Sequence, residues 1–241
     1  MPNPRQLILD VKLDNSIALE NFIHCASTTL TLNALENFLS DNSLIDFLFL
    51  WGKKGVGKEY LAQAVNNEFI KNKKKTAFLL ISNDRLQLNE VVSELNNLDL
   101  LIIENIHLLP DKMDWEKALF NLINISLSTG LKLLFTSEIF AKDLSIKLPD
   151  LKSRLIAFTA VEVPEVSDQE KIFALQESAD RKGILLEERT LNYILTHTSR
   201  SLSDLLKLLA DLDSYSLEKQ RKLSVPLVSE LLSNRSGNLH K

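Results

Sequence analysis

The sequence predicts an α/β fold, a doubly wound five-stranded parallel sheet followed by an all-helical domain. Three observations predict it. Short, nearly unbroken apolar runs alternate with helical segments from about residue 47 to 163, as strands of a parallel sheet covered on both faces do. A glycine-rich phosphate-loop motif, Gly52-Lys53-Lys54-Gly55-Val56-Gly57-Lys58-Glu59, stands between the first run and a helix. After Pro164 only helical periodicity continues.

Taken in order, residues 1–15 carry Pro2 and Pro4 without helical periodicity and read as an extended arm. Residues 20–30 give no firm match. A helix over about 29–40 carries Leu30, Leu32, Leu35, Phe38 and Leu39 and stops at Asp41-Asn42-Ser43. Strands are expected at Phe47–Trp51, Thr76–Ile81, Leu98–Glu104, Lys132–Thr136 and Phe158–Val163. Helices at about 57–71, 89–95 and 115–128 supply right-handed crossovers between them. Four further helices follow, at about 168–182, 187–198, 201–218 and 225–233. Ser167-Asp168-Gln169-Glu170 and Ser224-Val225-Pro226 are helix starts, with a capping serine and acidic groups or proline in the first turn. Gly183 marks the stop of the first of these helices. The expected organisation is an arm (1–15), a sheet domain (16–163), a helical lid (164–233) and a disordered tail (234–241).

Composition narrows the function. The 241 residues, 45% apolar and 25% charged, suffice for one α/β domain and a small appendage. A net charge of −4 gives no basic surplus, so direct sequence-specific DNA binding is not expected, and Lys71, Lys73, Lys74 and Lys75 read as a solvated loop. The single cysteine, Cys25, excludes an internal disulfide and fits a reducing compartment. His24, His107, His197 and His240 are too scattered for a metal site. No apolar run approaches the ~18 residues of a membrane span, and the first residues do not open a signal peptide, so a cytoplasmic location is expected.

The candidate chemistry centres on the glycine-rich turn. Gly52, Gly55, Val56, Gly57 and Lys58 would aim backbone N–H groups, a helix N-terminus and an ammonium at phosphate oxygens. The position that normally carries the Mg²⁺-binding hydroxyl holds Glu59, which brings a negative charge towards the phosphates. In Leu100-Leu101-Ile102-Ile103-Glu104-Asn105 an apolar strand ends in an acid, but Asn105 stands where a second carboxylate would orient water. Glu104 alone is also what a solvent-facing strand end would show. Thr136-Ser137 forms a polar end to the next strand, a pattern that serves capping as well as phosphate sensing.

The order of these parts resembles the AAA+ family, and Leu148-Pro149-Asp150-Leu151-Lys152-Ser153-Arg154-Leu155 resembles the arginine-finger segment of the DnaA and Hda families. Gln6-Leu7-Ile8-Leu9-Asp10-Val11 resembles the sliding-clamp-binding peptide of the Hda family, and Gln220-Arg221-Lys222-Leu223-Ser224-Val225-Pro226 its lid. The resemblance spans nearly the whole chain and is loosest over 14–45. It implies that Arg154 acts on the γ-phosphate held by a neighbouring subunit, that Thr136 or Ser137 is a first sensor, and that Gln6, Leu7 and Leu9 engage the clamp. The second-sensor arginine of the family falls on Ser203, with Arg200 three residues earlier.

Glu59, Asn105 and Ser203 thus alter three hydrolytic parts while Arg154 remains. The resemblance implies a regulator with little or no ATPase of its own. Tethered to the DNA sliding clamp, it would prompt hydrolysis of ATP bound to the initiator DnaA. ADP binding is favoured by Lys58 and the cradle and opposed by Glu59 and Ser203, and Mg²⁺ is not expected to be held. Self-association stays open. Three other readings compete, an active AAA+ ATPase of the helicase-loader type, an initiator of the DnaA family itself, and an interaction scaffold that binds no nucleotide.

Overall fold

The computed structural model describes residues 17–81, 98–109, 113–181, 183–198 and 201–237. The arm, the helix expected at about 89–95 and residues 238–241 lie outside them. The chain divides into two units. The first runs to Glu165, except that Glu20–Cys25 and Gly55–Gly57 group with the second, which begins at Val166.

In the first unit, five parallel strands form one sheet: β1 (Phe47–Trp51), β2 (Thr76–Leu80), β3 (Leu100–Glu104), β4 (Lys132–Ser137) and β5 (Thr159–Glu162). Their order is β2-β3-β4-β1-β5. The helices are α1 (Thr29–Leu39), α2 (Lys58–Lys71), α3 (Met113–Thr129) and α4 (Pro149–Ala157). Successive strand residues point to opposite faces. Phe49, Leu101, Ile103, Leu133 and Phe135 share one buried cluster with Leu119, Leu122 and Ile123 of α3 and Leu151 and Leu155 of α4. The alternate residues Leu48, Leu50, Leu100, Ile102 and Leu134 are equally buried. Burial on both faces is why the strands read as continuous apolar runs rather than alternating ones.

Two corrections to the sequence reading concern the N-terminal segments. The stretch 20–30, for which the sequence offers no firm match, follows on from a 3₁₀ turn at Leu19–Asn21 and buries Phe22 and Ile23. On α1, Leu32, Leu35 and Phe38 are buried but Leu30 is 78% exposed, because the buried stripe runs through Thr31 instead. The Thr31 hydroxyl donates to the Glu162 carbonyl at 2.7 Å and so ties α1 to the edge strand β5.

Leu122 has no exposed surface in the centre of the α3 layer. Leu122→Ala is expected to destabilise the first unit by roughly 2–5 kcal/mol through lost transfer energy and a residual cavity. The urea midpoint should fall without a change in slope.

The second unit is helical from α5 (Asp168–Arg181) through α6 (Glu188–His197), α7 (Leu202–Lys219) and α8 (Val225–Gly237). Its core gathers Leu175, Ala179, Leu191, Ile194, Leu205, Leu209, Leu212 and Val228. The expected start of α5 is a full capping box: the Glu170 N–H donates to Ser167 Oγ at 3.2 Å, and the Ser167 N–H donates to Glu170 Oε2 at 2.8 Å. Gly183 follows α5 at φ 68°, a left-handed position where glycine carries no Cβ penalty. The last helix continues to Gly237 rather than stopping at about 233, so 234–237 are helical and not part of a disordered tail. Among the described residues no helix is long and apolar enough to cross a membrane.

Candidate functional site

Because all strands run parallel, their C-terminal ends lie along one edge of the sheet. In open α/β sheets this is the edge where ligands bind. The phosphate-loop motif leaves β1 at this edge and leads directly into α2, which starts at Lys58. Gly55 and Gly57 sit at φ 82° and 107°, so the turn needs glycine at both positions. The Gly52 N–H donates to the Ser137 carbonyl at 3.2 Å and anchors the start of the loop to β4.

Lys58 is fully buried. Its Nζ donates to the carbonyls of Gly52 and Lys53, both at 2.8 Å, so the ammonium is spent on its own loop. Burial pulls its pKa below the usual lysine value, and the negative charges of Glu59 and Glu138 oppose that shift. Lys53 lies outside and pairs with Glu165 at 2.7 Å, both side chains being largely solvated, so this pair contributes little to stability. Glu59 is half-buried in the first turn of α2.

The other candidate groups come to the same edge. Glu104 ends β3 and is half-buried. Asn105 follows at φ 60°, ψ 43°, the left-handed region that asparagine tolerates better than most residues. Its N–H donates to Thr136 Oγ1 at 3.1 Å. Ser137 Oγ accepts the Ile139 N–H at 3.2 Å. Both hydroxyls are buried and each accepts a backbone N–H, Thr136 from the turn after β3 and Ser137 from two residues along its own chain. Asn105 likewise has a conformational task besides any part in orienting water.

Sequence reasoning passed over His107 as one of four scattered histidines. It sits in the 3₁₀ turn Ile106–Leu108, and its Nδ1 accepts the Glu138 N–H at 3.2 Å while Nε2 lies 3.8 Å from Glu138 Oε1. Burial lowers its pKa from 6.5, and Lys58 adds to that shift while Glu138 and Glu59 oppose it. A histidine with a depressed folded pKa costs stability as pH falls through its unfolded value, because the unfolded chain takes up the proton first. His107→Gln keeps an acceptor for Glu138. It should therefore flatten the loss of melting temperature between pH 7 and the acid side of 6.5.

Arg154 is carried by α4 rather than by a strand end or the turn that follows one. The sequence reading gave this segment no helix; Pro149 in the first turn and the buried pair Leu151 and Leu155 make it one. The Arg154 guanidinium stacks over the Phe120 ring of α3, 5.5 Å from its centre, and stays half-exposed. Among the described residues it has no carboxylate partner. The side chain of Ser203 and all of Arg200, Gln6, Leu7 and Leu9 lie outside the described residues.

The model of the bacterial DnaA ATPase domain matches residues 13–161 of the chain, and that of the Hda lid domain matches residues 168–232. The chain belongs to the DnaA ATPase-domain family. It is an Hda-like AAA+ protein homologous to DnaA. An uncharacterised protein of Haemophilus influenzae is 31% identical to this Hda-like chain over 230 residues, covering 95% of the chain and 99% of that protein. Domain III of the Thermotoga maritima replication initiation protein DnaA has the same fold, with TM-score 0.70 and 18% identity, covering 93% of this chain and 98% of that one. AMPPCP-bound DnaA from Aquifex aeolicus gives TM-score 0.68 and 19% identity, over 95% of this chain and 73% of that one.

Tested against a nucleotide, the residues of this Hda-like protein divide. Gly52, Gly55, Val56, Gly57 and Lys58 suit phosphate oxygens, since Lys58 need only exchange two loop carbonyls for them. The donor set does not suit Mg²⁺ in the usual way, because Glu59 replaces the hydroxyl and Asn105 offers no second carboxylate.

Proposed function

We propose that the chain is a negative regulator of replication initiation that acts on DnaA in trans. Held at the DNA sliding clamp by Gln6, Leu7 and Leu9, it presents Arg154 to the ATP bound by DnaA. The observation that carries this reading is the contrast between the two ends of its catalytic equipment. Among the described residues Arg154 stands half-exposed without a carboxylate partner, whereas the chain's own phosphate loop ends in Glu59 and its third strand leads into Asn105.

The chemistry asked of Arg154 is modest and specific. As water attacks the γ-phosphorus of DnaA's ATP, the bond to the bridging oxygen breaks and negative charge spreads over the phosphoryl oxygens. ADP and phosphate leave. A guanidinium is permanently charged and offers a planar fork of donors, which suits those oxygens. It forms no covalent bond and exchanges no proton, so it can be supplied by one protein to the nucleotide of another.

The test is ATP hydrolysis by DnaA with the clamp loaded on DNA, with and without the chain. Acceleration supports the proposal. An unchanged rate, with DnaA and clamp each shown to be active, overturns it.

One observation favours a second reading, a scaffold without nucleotide. Two of the three Lys58 ammonium donors are already taken by carbonyls. A ligand that binds only the folded chain stabilises it by about 2.7 kcal/mol at a hundred times its Kd. A melting temperature that rises with ADP concentration supports nucleotide binding, and a flat one supports the scaffold.

A further inference from the structure

α4, which carries Arg154, lacks a cap of its own. The residue before it is Leu148, whose side chain accepts no hydrogen bond, and Pro149 has no N–H to give. The missing acceptor comes from α3. Glu116, 1% exposed, takes the Leu148 N–H on Oε2 at 2.6 Å and the Lys147 N–H on both carboxylate oxygens at 3.0 Å. It fills from another helix the role that a capping-box glutamate fills within its own. A carboxylate at this point also faces the positive end of the α4 dipole.

Residues four apart on a helix share a face, and four residues after Glu116 stands Phe120, the ring beneath the Arg154 guanidinium. One face of α3 therefore holds α4 at two points. Glu116 fixes its entry, and Phe120 supports the side chain at its far end. The buried stripe of α3 runs through Glu116, Leu119, Leu122, Ile123 and Ser126, so a glutamate occupies a position where the core alone would select an apolar residue. A buried carboxylate is costly unless it is fully hydrogen-bonded, and its bonds here go to the two residues that open the arginine helix.

We infer that Glu116 and Phe120 are positioning residues for Arg154, a two-point mount on α3 that sets where the guanidinium is presented to a partner's nucleotide. This rests on the trans-acting role proposed for Arg154. The mount acts through geometry: a misplacement of ~1 Å can cost roughly 10²-fold in rate while leaving binding intact.

The test titrates DnaA, with clamp on DNA, with the wild type and with Glu116→Ala, Glu116→Gln, Phe120→Leu and Arg154→Ala. Amide exchange at Lys147 and Leu148 and the melting temperature are followed for each variant alone. For Glu116→Ala, exchange at Lys147 and Leu148 should accelerate and the maximal stimulated rate per folded molecule should fall by roughly 10²-fold. The concentration for half-maximal stimulation should hold. Glu116→Gln, whose one carbonyl oxygen can still take the Leu148 N–H, should recover part of the rate, and Phe120→Leu should lower it with exchange unchanged. If Glu116→Ala does not fold, the Gln and Leu variants decide. The inference fails if Glu116→Ala and Phe120→Leu, or Glu116→Gln and Phe120→Leu where the alanine variant is unfolded, keep the full maximal rate while Arg154→Ala abolishes it. Should Arg154→Ala itself keep full stimulation, the proposed function falls and the inference with it, so the two failures are told apart.

Discussion

Arg154→Ala is expected to return DnaA's ATP hydrolysis to its unassisted rate while the chain stays folded and clamp-bound. The magnitude follows from what such a group does elsewhere: an arginine supplied in trans to a nucleoside triphosphate accelerates hydrolysis by roughly 10³–10⁵. The cost to the chain itself is small. Arg154 is half-exposed, and its guanidinium lies 5.5 Å from the centre of the Phe120 ring, a geometry worth about 0.5–1 kcal/mol at exposed sites. Arg154→Lys separates charge from shape. It keeps the cation but loses the planar fork, and at a site that reads phosphoryl oxygens through paired donors it should recover only a minor part of the rate. A lysine variant as active as the wild type would mean that Arg154 contributes only its charge, and an active alanine variant would remove Arg154 from the reaction. The readout is initial phosphate release at saturating chain, which separates loss of chemistry from loss of docking.

The same residues show why some of this was legible in the sequence and some was not. The strand runs were readable because both sheet faces are buried, so Phe47–Trp51 and Leu100–Glu104 carry hardly a polar residue before their ends. The loop was readable because glycines at positive φ leave a mark that few other residues can replace. Helix α4 was not readable as a helix, since over its short length only Leu151 and Leu155 are buried and its start is capped from outside. That cap, Glu116, is 32 positions from Leu148 along the chain, and no local pattern links two residues at such a distance. The sole local sign was a glutamate in step with an apolar stripe. His107 was hidden for a similar reason: its partner is Glu138, beyond α3, and only the parallel pairing of β3 with β4 brings their following turns together. What remained invisible at the phosphate loop was the state of Lys58, because the motif names the residue and not where its ammonium points.

Removing Leu7 and Leu9 together is expected to release the chain from the sliding clamp and, with it, most of the stimulation at physiological concentrations. In the proposed contact, Gln6 would supply an amide that can both donate and accept, and each leucine an apolar side chain for a groove. Full desolvation of a leucine is worth about 1.5–3 kcal/mol, so the pair accounts for roughly 3–6 kcal/mol. At 1.4 kcal/mol per decade this is a loss of roughly 10²–10⁴ in clamp affinity. The effect on DnaA should differ in kind from that of Arg154→Ala. In the proposed role, tethering would raise the local concentration of Arg154 at the clamp and leave the chemistry at the nucleotide alone. The doubly substituted chain should therefore need far more protein for half-maximal stimulation yet reach the wild-type maximal rate, and it should give the same rate with or without clamp on the DNA. Direct clamp binding by the isolated chain checks the first step. Unchanged clamp affinity in the Leu7→Ala, Leu9→Ala chain would assign these leucines to some other surface, whereas weakened affinity with an unchanged concentration dependence on DnaA would show that the clamp is not how the regulator finds its target.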